Sequence, residues 1–166
     1  MEPDWDDLVR QNAAGVVNAA LRVLGRLADA EDVAQDVFVE AFERWATQTN
    51  ERWGGLLRRM AVCRALDHLR RTKRLDALPE DIRDASAVDP CEVAVAHELE
   101  ERLRHALAQL SSREAEVFCL YYFERLAQPE IAELLGIARG AVATALCKAR
   151  ARLSTQLEGV FKGERS

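Results

Sequence analysis

Three stretches of the 166-residue chain concentrate charge of one sign. Residues 29–43 hold six acids and no base, residues 52–74 hold eight bases against the single acid Asp67, and residues 139–152 hold four bases and no acid. Basic stretches of this kind are the footprint of phosphate contact, and an acidic helix face suits a basic protein surface. Each block taken alone also fits an ordinary solvated face; together, one acidic and two basic surfaces imply two kinds of partner. Covalent chemistry is poorly provided for. No nucleophile–base pair, paired-carboxylate spacing, phosphate-binding glycine loop or metal cluster stands out, and Asp67 and His68, being adjacent on a helix, point in different directions. Cys63, Cys91, Cys119 and Cys147 lack a C-x-x-C spacing, which argues against zinc and for free thiols in a reducing compartment. No catalytic residue, metal or cofactor is expected.

The net charge of -5 conceals this distribution. Residues 1–75 carry 12 bases and 12 acids, residues 76–98 carry Arg83 against seven acids, and residues 99–166 carry 10 bases and nine acids. The acidic excess therefore belongs to the middle segment. With 49% hydrophobic and 31% charged residues, and only 8 Gly and 4 Pro, the composition is that of a globular, helix-rich chain. No apolar run approaches the ~20 residues of a membrane helix, and the N-terminal Met-Glu-Pro-Asp-Trp-Asp-Asp is acidic rather than signal-like. These features predict a soluble, cytoplasmic protein without membrane insertion.

Apolar periodicity supplies the elements that would carry the charges. Val9, Ala13, Val16, Val17, Ala20, Leu21 and Leu24 predict a helix over residues 6–27. A turn at Leu27-Ala28 and an Asp29 N-cap would start a second helix over residues 30–46, burying Val33, Val37, Phe38, Ala41, Phe42 and Trp45. Residues 47–55 read as a loop, and residues 56–73 as a basic helix with Arg58, Arg59, Arg64, Arg70 and Arg71 largely outward. Residues 76–97, with Pro79 and Pro90, read as an acidic linker. A second helical unit follows over residues 98–158, with Ser111 capping a helix at 112–124. The fold class is all-α: two small helical domains, residues 6–75 and 98–158, each with a small core and modest stability alone.

The sharpest local pattern runs from Pro129 through Gly136 to Leu146. A short helix over residues 129–135, a turn stopped by Gly136 and a longer helix over residues 138–156 form a helix-turn-helix. Small Ala132 lets the helices approach, Ile137 fills the space beneath the turn, and Val142 and Leu146 anchor the second helix. Its N-terminal residues can then enter a major groove, with Arg139 on a phosphate.

With these motifs placed, the chain resembles bacterial RNA polymerase sigma factors of the sigma-70 superfamily, in the extracytoplasmic-function (ECF) group, over about residues 8–158. The likeness rests on Asp29-Ala-Glu-Asp-Val-Ala-Gln-Asp-Val-Phe, Ala65-Leu-Asp-His-Leu-Arg-Arg, Leu110-Ser-Ser-Arg-Glu-Ala-Glu-Val-Phe and Glu130-Ile-Ala-Glu-Leu-Leu-Gly. It implies a non-enzymatic subunit that binds core RNA polymerase, directs it to a promoter and helps to melt DNA. Residues 6–75 would correspond to region 2, with Asp32, Gln35 and Asp36 docking on the beta-prime coiled coil. The -10 element would be held by Asn50 and Trp53 of the loop and by Arg58, Arg64, Arg70 and Arg71, with Trp53 equally readable as a core aromatic. Residues 98–158 would correspond to region 4, touching the beta flap and the -35 element through Arg139, Ala143, Thr144, Lys148 and Arg150. An anti-sigma factor is a further implied partner.

Departures from the family pattern bear on promoter reading. Leu56-Leu57 stands in place of Trp-Leu and Cys63 in place of Asn. The recognition helix has Ala138 at its cap, then Ala141, Ala143, Thr144 and Ala145, which together offer one hydroxyl and no bidentate donor to base edges. Weak or AT-biased choice at -35 is the expectation. Two other readings remain at this stage: a sigma-like adaptor with weakened promoter recognition, and a stand-alone helix-turn-helix regulator.

Overall fold

The computed structural model describes residues 4–47, 52–76 and 92–162. Among them are seven α-helices and no strand: α1 Trp5–Leu24, α2 Leu27–Trp45, α3 Trp53–Asp76, α4 Glu92–Gln109, α5 Ser112–Tyr122, α6 Gln128–Leu135 and α7 Arg139–Lys162. Asn50 and most of the acidic linker lie outside the described residues.

Helix α1 buries Val16, Ala19, Ala20, Val23 and Leu24 and stops at Gly25, whose φ of 73° is left-handed and whose N–H donates to the Leu21 carbonyl at 2.7 Å. This tight stop changes the start of α2. Leu27 and Ala28, expected as a turn, are already helical, and the residue at the cap is Arg26. Asp29 is therefore not the N-cap; it lies in the first turn, where a carboxylate still favours the positive end of the helix.

Helix α3 begins three residues earlier than its apolar pattern indicates and takes in Gly54 and Gly55, which were expected in a loop. Two glycines cost a helix interior about 1 kcal/mol each. What offsets this is burial of Trp53, 5% exposed, with its ring centroid 5.1 Å from that of Trp45. Gly54 also meets Asn12 of α1 closely: a β-carbon there would lie 3.1 Å from Oδ1.

In the second unit Ser111 caps α5 as expected, its Oγ accepting from the Glu114 N–H at 3.3 Å. Pro129 sits in the first turn of α6, where its missing N–H costs nothing, and the Glu130 carboxylate accepts from the Ala127 N–H at 2.8 Å. Gly136, φ 65°, ends α6, and the Ile137 N–H returns to the Ala132 carbonyl at 3.0 Å. The α6–turn–α7 geometry follows, with Ile131, Val142 and Leu146 fully enclosed.

Helices α1, α2 and α3 pack mutually, as do α4 to α7 through α7. The two sets are not separate. Helix α3 packs on both α4 and α5, and buried residues of the two sets form one continuous apolar core. The two small helical domains thus meet along the inner face of α3, which is long enough to serve the core of each.

Candidate protein and nucleic-acid interfaces

Asp32, Gln35 and Asp36 are all exposed on α2, because Val33, Ala34 and Val37 turn the opposite face of the same helix into the core. Val39 and Phe42 continue that exposed stripe at helical spacing, 63% and 57% exposed. Phe42 is therefore not a core residue, contrary to its place in the apolar pattern. Its ring packs on Trp5, centroids 5.1 Å apart, at the edge of an apolar groove between α1 and α2 that Gln35, Phe38 and Val39 also line. Acids and an amide beside exposed aromatic and aliphatic groups form a protein-docking pattern. Phe38 and Phe42 fit the core by apolar spacing alone, yet they stand three and seven residues from Gln35 and line the same groove.

The basic helix differs more from expectation. Of Arg58, Arg64, Arg70 and Arg71, only Arg71 is plainly exposed; the others are half-buried and engaged. Arg64 donates from Nε at 3.1 Å and Nη2 at 2.6 Å to Glu40 of α2. Arg70 donates to Asp67 at 3.2 Å, and Arg58 donates to the Gly54 carbonyl at 3.3 Å and lies 4.0 Å from Glu124. Trp53 is taken up by packing on Trp45, the second of the two roles its position allowed. Asp32, Asp36, Arg64, Arg70 and Arg71 do come together, around a cleft of about 410 Å³ between α2 and α3.

Three buried acids of the second unit carry no signal in the sequence. Glu114, Glu116 and Glu124 each take an arginine: Arg152 at 3.0 Å, Arg59 at 2.8 Å and Arg22 at 3.0 Å respectively. Burial works against the charge on Arg59, yet the Glu116 carboxylate outweighs it and holds the guanidinium above its ordinary pKa. Cys63 also donates to Glu116, at 3.2 Å; burial first, and then that carboxylate, push its thiol up to about 12. Cys63 is thus a hydrogen-bond donor and not a nucleophile.

On α7, Arg139, Ala143, Thr144, Lys148 and Arg150 are all exposed along the outer face of the helix-turn-helix. Ala145 is not; it is buried with Leu146 and Ala149, and drops out of the groove-facing set. The Thr144 hydroxyl donates to the Gly140 carbonyl at 2.8 Å, leaving only its acceptor lone pairs for a base. Arg150 stacks over Tyr121 and Tyr122, 5.6 and 5.5 Å from the ring centroids, with Nε 2.5 Å from the Tyr122 hydroxyl. That hydrogen bond holds its pKa above the ordinary value.

Comparison with known proteins agrees with this arrangement. Residues 8–75 match Sigma-70 region 2 and residues 100–153 match Sigma-70, region 4. The chain is 33% identical over 159 residues to the ECF RNA polymerase sigma factor SigE of Mycolicibacterium smegmatis, covering 93% of this chain and 62% of that protein. It is 27% identical over 156 residues to the RNA polymerase sigma-E factor of Streptomyces avermitilis, covering 93% and 86%. Among solved structures, CnrH in complex with the cytosolic domain of CnrY is similar, with a TM-score of 0.60, 25% identity and coverage of 93% and 88%. The chain belongs to the sigma-70 family of RNA polymerase sigma factors, in its extracytoplasmic-function group. Promoter-specific transcription initiation is the function of that class, whose members regulate without being enzymes. No helix among the described residues is long and apolar enough to cross a membrane.

Proposed function

We propose that this chain binds core RNA polymerase and directs it to promoters by reading -10 and -35 elements and assisting strand separation. The observation that carries the proposal is the pairing, on one chain, of an exposed Asp32–Gln35–Asp36 stripe with a helix-turn-helix whose outer face bears Arg139, Lys148 and Arg150. The stripe offers carboxylates and an amide to a basic coiled coil such as that of the beta-prime subunit, while residues 98–158 take the beta flap and -35 DNA. Residues 6–75 take the -10 element, with Asn50 at the loop and Arg58, Arg64, Arg70 and Arg71 along α3, and residues 76–97 tether the two. The nucleotidyl transfer belongs to the polymerase, so the chain contributes no catalytic residue, and it works in the cytoplasm where the polymerase is. CnrH is found in complex with another chain, the cytosolic domain of CnrY, which supports a regulatory protein partner of anti-sigma type here too.

A second reading is a sigma-like adaptor that docks on polymerase but reads -35 DNA weakly. The alanine-rich face of α7 and the internally bonded Thr144 favour it. Pull-down with core polymerase followed by run-off transcription, with and without the chain, separates the two. Polymerase binding together with new promoter-dependent transcripts supports the first; binding without initiation supports the second; DNA binding without polymerase binding overturns both in favour of a stand-alone regulator.

A further inference from the structure

Arg125 joins α5 to α6 in a left-handed backbone conformation, φ 55°, and is the one non-glycine residue with positive φ among the described residues. A β-carbon crowds the following carbonyl in that conformation, which glycine adopts freely. The turn demands it nonetheless. The Phe123 and Glu124 N–H groups both donate to the Cys119 carbonyl, at 2.9 and 3.1 Å, and the Leu126 N–H reaches back to the Leu120 carbonyl at 3.1 Å. The chain is held on either side: Glu124 is buried and takes Arg22 at 3.0 Å, while Leu126 packs on the core. Residue 125 must therefore turn left-handed, and its side chain is put into solvent.

Nothing in the molecule offsets that strain through the side chain. Arg125 is exposed, and its guanidinium makes no hydrogen bond or ion pair among the described residues. Other arginines of the second unit are engaged, Arg113 by Glu116, Arg152 by Glu114 and Arg150 by Tyr122. Two more exposed cations share the unpartnered state of Arg125 among the described residues, Arg139 and Lys148 on the outer face of α7. Arg125 stands two residues before the Ala127 cap of α6. The three cations thus lie at the entry of the first helix of the helix-turn-helix and along its second.

We propose that Arg125 is a further phosphate-contacting residue of this helix-turn-helix, kept in a backbone conformation suited to glycine so that its guanidinium meets the DNA backbone where α6 begins. The inference rests on the reading that α6 and α7 meet duplex DNA. A residue held in a sparsely populated backbone region points to a functional constraint at that position. In such a motif the first helix crosses the sugar-phosphate backbone while the second enters the groove, so a cation at the entry of the first meets phosphates and fixes register without reading bases. The helix end itself is not the site, because Glu130 already accepts from the Ala127 N–H at 2.8 Å. With the turn fixed on both sides, binding has only side-chain freedom to remove. Arg125 lies beside Glu124 and outside the basic stretch 139–152, so charge counted along the chain passes over it.

The test uses the full chain and a fluorescein-labelled duplex of mixed sequence, about 30 base pairs long, titrated from about 50 to 200 mM salt. Arg125→Gly and Arg125→Ala should each weaken binding roughly fivefold at the low end and lower the salt slope by about 1, while Arg125→Lys should keep both near wild type. Glycine suits the turn, so Arg125→Gly keeps the fold and should melt about 2–4 °C above Arg125→Ala. Arg139→Ala is the reference. If it weakens binding and the two neutral Arg125 variants do not, the assignment of Arg125 is overturned and the helix-turn-helix reading stands. If none of the three weakens binding, that reading falls and the inference with it. A glycine variant that melts no higher than the alanine variant overturns the claim that the arginine is held against its backbone preference.

Discussion

Arg104 lies across Gly25. Its guanidinium is so close to the end of α1 that a β-carbon on residue 25 would stand 2.1 Å from Nη2, and its Nε donates to the Val23 carbonyl. A cation thus meets the negative end of a helix dipole through the one residue type that permits the approach. Gly25→Ala meets two penalties, a left-handed φ of 73° and displacement of Arg104. A loss of about 2 kcal/mol is expected, seen as a melting temperature lower by about 4–8 °C. Because Arg104→Ala removes the steric part, the double variant should lose less than the sum of the two singles.

Replacing Asp32 and Asp36 together by Lys should weaken attachment to core polymerase by about tenfold or more, measured by a fluorescence or interferometric titration. Both side chains are solvent-exposed, so the melting temperature should stay within about 2 °C of wild type. Retained polymerase affinity in a folded variant would remove the docking role from this stripe.

On α7 the contributions of charge and of base reading should separate. Arg139→Ala and Lys148→Ala should each weaken promoter binding by a similar factor whatever the -35 sequence, and each should lower the salt slope by about 1. Thr144→Val removes a hydroxyl already donated to Gly140, so its effect on -35 discrimination should stay within about twofold. A strong loss of discrimination from Thr144→Val, measured over single -35 substitutions with the holoenzyme, contradicts this division.

The cysteines should separate by environment. In a Cys91→Ser background, exposed Cys147 should be alkylated at neutral pH while Cys63 and fully buried Cys119 wait for unfolding. Burial, and the Glu116 charge, keep the Cys63 proton on to about 12, against 9.0 for an ordinary thiol. Between those values the folded chain binds a proton that the unfolded chain has lost, so stability should fall as pH rises from about 9 toward 12. Cys63→Ser, whose hydroxyl does not titrate there, should make that fall shallower; the rest of it comes from Cys119, whose thiol burial also pushes up.

Legibility varied with how local the cause was. Gly136, Pro129 and Ser111 were readable because each acts through its own backbone or a neighbour three or four residues away. Trp53 and Phe42 were not, since both are large and apolar and only the partner decides: Trp53 meets Trp45, whereas Phe42 lies at the rim of α2 beyond Trp5. The start of α2 was missed by a few residues because the Gly25 turn closes faster than an Asp29 cap implies.

Periodicity and charge order, written along the chain, by themselves determined an all-α molecule with an acidic helix, a basic helix and a helix-turn-helix, because each is set by residues a turn or two apart. Which arginines stay available was decided only in three dimensions. Glu40 on Arg64, Glu116 on Arg59 and Glu124 on Arg22 join residues 24, 57 and 102 positions apart. A charge reaches its partner through space, and a one-dimensional pattern holds no record of that distance.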